Sequence, residues 1–268
     1  LIGALCYAEL AAAWPHAGGD YHFLHRAYGR RVAFLFAWAR FAVITTGSIA
    51  MLAFVFGDYM GAIVPLGAYS SAVWGALAVI VLTWVNARGI HASASAQSWL
   101  TLAEVLGLVL VVVAGLWLWG DAGHTMPVAT AGEGAGGGSA APALGMLGLA
   151  MVFVLLTFGG WNEAAYLSAE LRGSRRGILH ALVIRRTLIT VLYLLVNGAY
   201  VYGLGIQGMA RSEAVAADLL RVAFGRTGET LIAIMVAVAA LTSINATMIV
   251  GARTNFAVGR DWPQLHWR

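Results

Sequence analysis

The sequence contains no lysine, and charged residues of any kind are scarce. They make up 10% of the 268 residues, whereas hydrophobic residues make up 60%. A soluble domain of this length needs far more charge to cover its surface, so the composition excludes that class. The mean hydropathy of +0.80 agrees with the alternative, which is an integral membrane protein.

Other absences narrow the functional classes. The sequence has no His-Glu-x-x-His motif, no nucleophile-elbow serine and no pair of aspartates inside an apolar stretch, so we predict that the protein is not an enzyme. His16, His22 and His25 lie close together but lack further ligands, so no metal site or cofactor is expected. The chain begins within an apolar run and without methionine, which suggests a piece of a longer protein.

Seven apolar stretches are long enough, or nearly so, to cross a membrane as helices. A helix needs about 20 residues to cross about 30 Å of hydrocarbon. The predicted fold class is therefore an all-α integral membrane protein with a single transmembrane domain. The expected spans are 1–14, 32–57, 70–87, 98–119, 144–168, 187–206 and 231–252.

The arginines are concentrated in alternate loops. Most of the sixteen lie near 26–31, 88, 172–186 and 253–268, and the positive-inside rule places these loops in the cytoplasm. Because the positive charge is spread over several loops, we interpret it as topology and expect no nucleic-acid partner. The predicted location is the cytoplasmic membrane, with the lipid bilayer around the spans. On the opposite side, the sequence from Ser212 to Arg221 predicts a short amphipathic helix on the membrane surface.

One expected span is interrupted in its middle. The span 144–168 contains Phe158-Gly159-Gly160-Trp161-Asn162, followed by Glu163. Lipid cannot satisfy free backbone N–H and C=O groups, so irregular backbone at this depth needs protein or a water-filled cavity around it. A broken helix near the midplane is typical of a transporter's binding site, although close packing of helices through glycine is the simpler alternative.

The interruption, at about 156–162, supplies the candidate substrate-binding residues. Backbone carbonyls near the two glycines would accept hydrogen bonds from a cationic group, because the carbonyl end of a helix attracts positive charge. An ordinary packing role for the tryptophan is the alternative. The candidates are Leu156, Thr157, Phe158, Gly159, Gly160, Trp161 and Asn162.

Several motifs, in order along the chain, resemble amino acid permeases of the amino acid–polyamine–organocation superfamily, particularly its L-type branch. They are Cys6–Leu10 (CYAEL) with Pro15, Gly18–Tyr21 (GGDY), Phe158–Asn162 (FGGWN), Glu170–Arg172 (ELR), and Ser243–Ala246 (SINA) with residues 253–261. The resemblance implies a LeuT-type fold of two inverted five-helix repeats. In that register the chain holds part of the second helix and continues to the eighth.

The resemblance also implies a function and its partners. The expected activity is secondary active transport of an amino acid by alternating access, through proton symport or exchange. Relatives can pair with a single-pass partner through a cysteine in an outer loop. The only cysteine here, Cys6, lies in an expected span, so no disulfide-linked partner is expected. The alternative function is a non-transporting sensor or assembly subunit that keeps the permease fold.

Three polar residues inside the spans are candidates for ion coupling. Glu104 is an ionisable residue at membrane depth, where such groups are usually functional. A structural role for Glu104, hydrogen-bonded to another helix or paired with Arg40, is the alternative. Ser243 and Asn245 carry oxygens that suit sodium, which the resemblance suggests for this helix, but interhelical hydrogen bonding is the favoured explanation.

Overall fold

The computed structural model describes residues 2–14, 16, 18–120, 144–157, 175–212 and 214–262, and the elements in these ranges are all helical. The expected all-α class is therefore confirmed. The α-helices are α1 (Ile2–Ala13), α2 (Asp20–Tyr28), α3 (Arg30–Ala39), α4 (Thr46–Ile63), α5 (Ser70–Ala87), α6 (Ile90–Gly120), α7 (Leu144–Thr157), α8 (Arg175–Arg211), α9 (Val215–Phe224) and α10 (Arg226–Asp261).

Five helical stretches within the described residues are long and apolar enough to cross a membrane. Their surfaces carry many exposed large hydrophobic side chains, which suits a lipid environment. The chain is therefore a multi-pass membrane protein. The stretches are Arg30–Ile63, Ser70–Ala87, Ile90–Leu118, Thr187–Arg211 and Arg226–Asp261.

Several helices extend beyond the apolar runs that predict them. The helix expected over 98–119 begins earlier, at Ile90, and the helix expected over 231–252 extends from Arg226 to Asp261. Hydropathy marks the part of a helix that lipid surrounds, whereas backbone hydrogen bonding continues into the polar interface. The sequence pattern therefore underestimates the length of such helices.

The stretch Arg30–Ile63 is one long helix with a local irregularity. A π-helical segment, Arg40–Thr45, joins α3 to α4 without breaking the stretch. Thr46 donates a hydrogen bond from Oγ1 to the Ala42 carbonyl at 2.9 Å, which gives that carbonyl a partner. Such single-turn insertions are costly to keep and often occur at functional sites.

Helices α4, α5, α6 and α10 form the packed centre of the described residues. Helix α4 packs most extensively against α5 and α10, and α6 packs against α8 and α10. A Cβ atom on Gly75 of α5 would lie 2.7 Å from the Ala53 carbonyl oxygen of α4, so only glycine permits this approach. Small residues at helix contacts are the usual way in which membrane helices pack closely.

Helix α9 closes one end of this bundle. Its Leu219 and Leu220 are fully buried, in a cluster with Val111 and Ala114 of α6. The expected amphipathic helix is therefore present, but its apolar side covers other helices of the protein. Helix α8 approaches α9 through a kink at Gly205, where φ is 68° and only glycine is comfortable.

The opposite end is closed by α2. Its Tyr21 is buried against Ala33 and Ala37 of α3 and Ala257 of α10. Arg30 donates a hydrogen bond to the Asp261 carbonyl at 2.6 Å, which satisfies one of the backbone acceptors that a helix end leaves open. The first loop and the end of α10 are thus joined.

Candidate substrate and coupling site

The predicted substrate-binding residues lie at the edge of the described structure. Leu156 and Thr157 are the last two residues of α7, and only their backbone is described. The other five, Phe158, Gly159, Gly160, Trp161 and Asn162, lie outside the described residues. The interruption of the span therefore stays a prediction.

Glu104 faces another helix of the bundle. It lies on α6, is half-buried, and its carboxyl lies near the hydroxyl of Thr242 on α10. Thr242 Oγ1 also lies 2.9 Å from the Val238 carbonyl oxygen, to which it donates. A hydroxyl has a single proton but two lone pairs. The Thr242 hydroxyl can therefore turn to donate to an ionised Glu104, or accept from a protonated Glu104 while still donating to Val238.

This arrangement gives Glu104 a proton-dependent partner. Each protonation state of the carboxyl has a matching hydrogen-bond pattern at Thr242, so neither state leaves the hydroxyl unused. Arg40, the other partner considered for Glu104, interacts electrostatically with Tyr7, whose hydroxyl is hydrogen-bonded with Asp20. The geometry therefore suits proton uptake and release, and it equally suits a structural contact between α6 and α10.

Asn245 lies at the contact between α10 and two other helices. It is completely buried, and its side-chain NH₂ group donates to Gln97 Oε1 at 2.8 Å and to the Ser93 carbonyl at 3.3 Å. Its Oδ1 accepts from Asn86 Nδ2 at 2.8 Å. The side chain of Asn245 therefore makes interhelical hydrogen bonds, which the sequence suggested as the alternative to sodium binding.

Ser243 has a different environment from its neighbour Asn245. It is exposed in the described structure, and its carbonyl accepts a hydrogen bond from Thr247 at 2.8 Å within the same helix. Groups of three or more possible metal-ligating side chains are not found among the described residues. Ser243 is exposed where Asn245 is buried, although the two are only two residues apart.

The comparison with known families decides what kind of membrane protein this is. A family model described as amino acid permease matches residues 1–262. The chain belongs to the amino acid permease family. The expected family resemblance is therefore confirmed.

Individual relatives of this permease chain are amino acid transporters. It is 30% identical over 272 residues to the b(0,+)-type amino acid transporter 1 of Rattus norvegicus, covering 98% of this chain and 54% of the relative. It is 28% identical over 272 residues to the human transporter of that name, with the same coverage. It is 27% identical over 281 residues to the human large neutral amino acids transporter small subunit 2, covering 97% and 49%. The chain thus spans about half the length of these relatives.

The first loop of the permease contains a cluster of rings and arginines. The His16 and His22 rings stack with centroids 4.2 Å apart, Arg26 lies 5.0 Å from the ring centroid of Trp14, and Arg30 lies 4.0 Å from that of Trp262. Arginine over an aromatic face is a favourable contact near an interface. Of these contacts, that between Arg30 and Trp262 joins the loop to the end of α10.

Sequence reasoning missed four residues of the permease that the structure brings to Glu104 and Asn245. Ser93 and Gln97 are four residues apart and share a helical face, on which Glu104 lies two turns further on. A row of polar residues along one face of an otherwise apolar helix could have indicated this site from the sequence. The missed residues are Asn86, Ser93, Gln97 and Thr242.

Proposed function

We propose that this chain forms part of a secondary active permease that moves amino acids across the cytoplasmic membrane by alternating access. The observation that carries the proposal is the amino acid permease match over residues 1–262. The names of the relatives, which include transporters of large neutral amino acids, support amino acids as the substrate class. The several membrane-crossing helices provide the setting that transport requires.

The substrate would bind where the span after residue 144 is interrupted. A LeuT-type arrangement would place the carbonyls around Gly159 and Gly160 next to the substrate ammonium group, because the carboxyl end of a half-helix carries partial negative charge. Phe158 and Trp161 would line the pocket. This proposal rests on the sequence and on the family, since these residues lie outside the described structure.

Glu104 would couple transport to a proton. Support comes from its position at membrane depth and from Thr242, which offers a hydrogen bond to either protonation state. Exchange of one amino acid for another, without a proton, is the other way in which transport would be driven. The two differ in whether a pH gradient drives uptake.

Uptake into proteoliposomes tests the function and the role of Glu104 together. The protein, expressed in its full natural length, should accumulate labelled neutral amino acids when a pH gradient is imposed. Glu104→Gln should abolish accumulation driven by the gradient but retain exchange of internal for external amino acid, because glutamine keeps the shape and loses the titratable proton. Glu104→Asp, which keeps the carboxyl, is the matched control and should retain part of the gradient-driven uptake.

The possible contrary results separate the alternatives. Gradient-driven uptake that is the same in Glu104→Gln and wild type would remove the coupling role. A properly folded protein that neither takes up nor exchanges any amino acid would favour the non-transporting sensor or assembly subunit.

A further inference from the structure

Side chains from α5, α6 and α10 form one continuous hydrogen-bonded group, which we call the amide clasp. It consists of Asn86, Ser93, Gln97 and Asn245. Ser93 Oγ donates to Asn86 Oδ1 at 2.6 Å, and Asn86 Nδ2 donates to Asn245 Oδ1 at 2.8 Å. Asn245 Nδ2 then donates to Gln97 Oε1 at 2.8 Å.

The hydrogen bonds of the clasp match donor to acceptor throughout. The two N–H groups of Asn86 face Asn245 Oδ1 and the Leu82 carbonyl, the latter at 2.8 Å. Those of Asn245 face Gln97 Oε1 and the Ser93 carbonyl. Turning the Asn245 amide over would place its NH₂ against that of Asn86 and its oxygen against two acceptors. The clasp therefore has a single satisfied orientation.

This single orientation fixes how α6 lies on α10. Asn245 is 0% exposed, so a donor or acceptor that loses its partner there cannot turn to water and is left unsatisfied. Rotating α6 by one residue would swing Gln97 by about 100° around the helix and remove its oxygen from Asn245. A shift in register is thus opposed by several hydrogen bonds at once.

The same register places Glu104 opposite Thr242. Glu104 follows Gln97 by two helical turns on the same face, and Thr242 precedes Asn245 by one turn on α10. Side chains on a helix lean toward its N-terminus, so Glu104 inclines toward the clasp. One turn beyond Glu104, a Cβ atom on Gly107 would lie 2.9 Å from Met235 Cε. Glu104 is therefore held between the clasp and this close contact.

We propose that Asn245 is a positioning residue, which through the amide clasp sets the register of α6 on α10 and so holds the Glu104 carboxyl against the Thr242 hydroxyl. The inference rests on the proposed function, in which Glu104 takes up and releases the transported proton. The four clasp residues would then influence how readily Glu104 binds the proton, in addition to joining three helices.

Chemical labelling of Glu104 tests this without requiring transport. Dicyclohexylcarbodiimide modifies protonated carboxyl groups in apolar surroundings, and mass spectrometry of the peptide that contains Glu104 gives the fraction modified at each pH. We expect the labelling midpoint of Asn245→Leu and of Gln97→Met to lie about one pH unit above that of wild type. A hydroxyl bonds more strongly to an ionised carboxylate than to a protonated carboxyl, so its loss removes more stabilisation from the ionised form.

A matched control lies next to the clasp. Ser98, beside Gln97 on α6, donates only within its own helix, to the Ala94 carbonyl at 2.9 Å, so Ser98→Ala should label with the wild-type midpoint. Thr242→Val removes the hydroxyl directly and should reproduce the shift of Asn245→Leu. Thermal unfolding of each variant identifies those that remain folded, and Gln97→Met, the mildest change, provides the test if Asn245→Leu does not fold.

The contrary result is a wild-type labelling midpoint in folded Gln97→Met or Asn245→Leu while Thr242→Val shifts it. The clasp would then join the helices without positioning Glu104, and the proposal would be overturned. Failure of the proposed function is seen separately, because the labelling midpoint is measured without substrate. Loss of the coupling role appears as pH-gradient uptake that survives Glu104→Gln, and loss of the transport function as a folded protein without uptake or exchange.

Discussion

His16 is a residue whose contacts depend on its charge. Its Nδ1 accepts a hydrogen bond from the Gly18 N–H at 3.0 Å, and its Nε2 lies 2.8 Å from an Arg260 Nη. Both neighbours carry N–H donors, and a neutral ring has one acceptor nitrogen, so it can satisfy only one of them. A protonated ring has no acceptor and can satisfy neither, so protonation is unfavourable in this arrangement. Burial, and then the charge of Arg260, lower the pKa of His16, while Asp261 opposes this.

Acid should therefore weaken the contact between the first loop and α10. The folded protein binds a proton at His16 less readily than the unfolded chain, so stability is lost as the pH falls below about 6.5 and through the lowered pKa, and is unaffected above it. The pKa of His22 is lowered too, by burial first and then by His16, Arg26 and His25. The unfolding temperature of wild type should drop more steeply between pH 7 and pH 5 than that of His16→Gln.

A second variant identifies the cause of the shift. Arg260→Gln removes the positive charge next to His16, which should bring the His16 pKa closer to its usual value and make the acid-induced drop smaller than in wild type. Equal pH profiles for wild type, His16→Gln and Arg260→Gln would show that His16 is not the group responsible.

At this scale the sequence predicted individual residues better than their partners. Glu104 could be predicted from the sequence, because burying an ionisable side chain in a membrane span costs free energy unless it has a partner or a function. Ser93 and Gln97 lie before the expected span 98–119, in a segment where polar residues are ordinary and predict no buried contact. Their importance comes from the register of α6 on α10, which is a property of packing between residues about 150 positions apart. No local pattern carries that information.

At the scale of elements, close glycine contacts decide how α4 and α5 pack. Adding a Cβ atom at Gly57 of α4 would drive it into the Ser71 carbonyl oxygen of α5, which is backbone and cannot rotate away. Gly57→Ala should therefore destabilise the fold by about 1–3 kcal/mol, the usual cost of overpacking. Thermal unfolding in detergent should show a lower midpoint by several degrees.

Gly47 on the same helix provides the control. Nothing in the described structure lies within 4 Å of a Cβ atom placed there, and alanine is the better helix former. Gly47→Ala should thus leave the midpoint unchanged or raise it slightly. Equal losses in Gly47→Ala and Gly57→Ala would mean that the α4–α5 contact is not the cause of the destabilisation.

Helix existence was predictable from hydropathy, but helix ends and irregularities were not. The π-helical segment Arg40–Thr45 lies in an apolar run, and its polar residues are Arg40 and Thr45, neither of which by itself predicts a π-helical turn. The kink at Gly205 lies at the end of the expected span 187–206, but glycine is common in membrane helices, so this one was not distinguishable. Such features depend on what each backbone group meets in the folded protein.

At the scale of the whole molecule, the described helices bring charged loops to a common end. Contacts of His16 with Arg260, and of Arg30 with Asp261, place the first loop beside the end of α10. Trp117 stacks on Phe224 at 6.0 Å, which places the end of α6 beside α9. By the positive-inside rule, we propose that the end with His16 and Arg260 is cytoplasmic and that α9 lies outside.

Labelling of single cysteines tests this orientation in intact cells. In a Cys6→Ser background, a membrane-impermeant maleimide should label Leu66→Cys and Ala214→Cys without permeabilisation, because both positions are exposed at the proposed outer end. His91→Cys, exposed at the start of α6, should be labelled only after the membrane is opened, since α6 begins at the cytoplasmic end. The reverse pattern would invert the topology, and with it the direction from which a proton would reach Glu104.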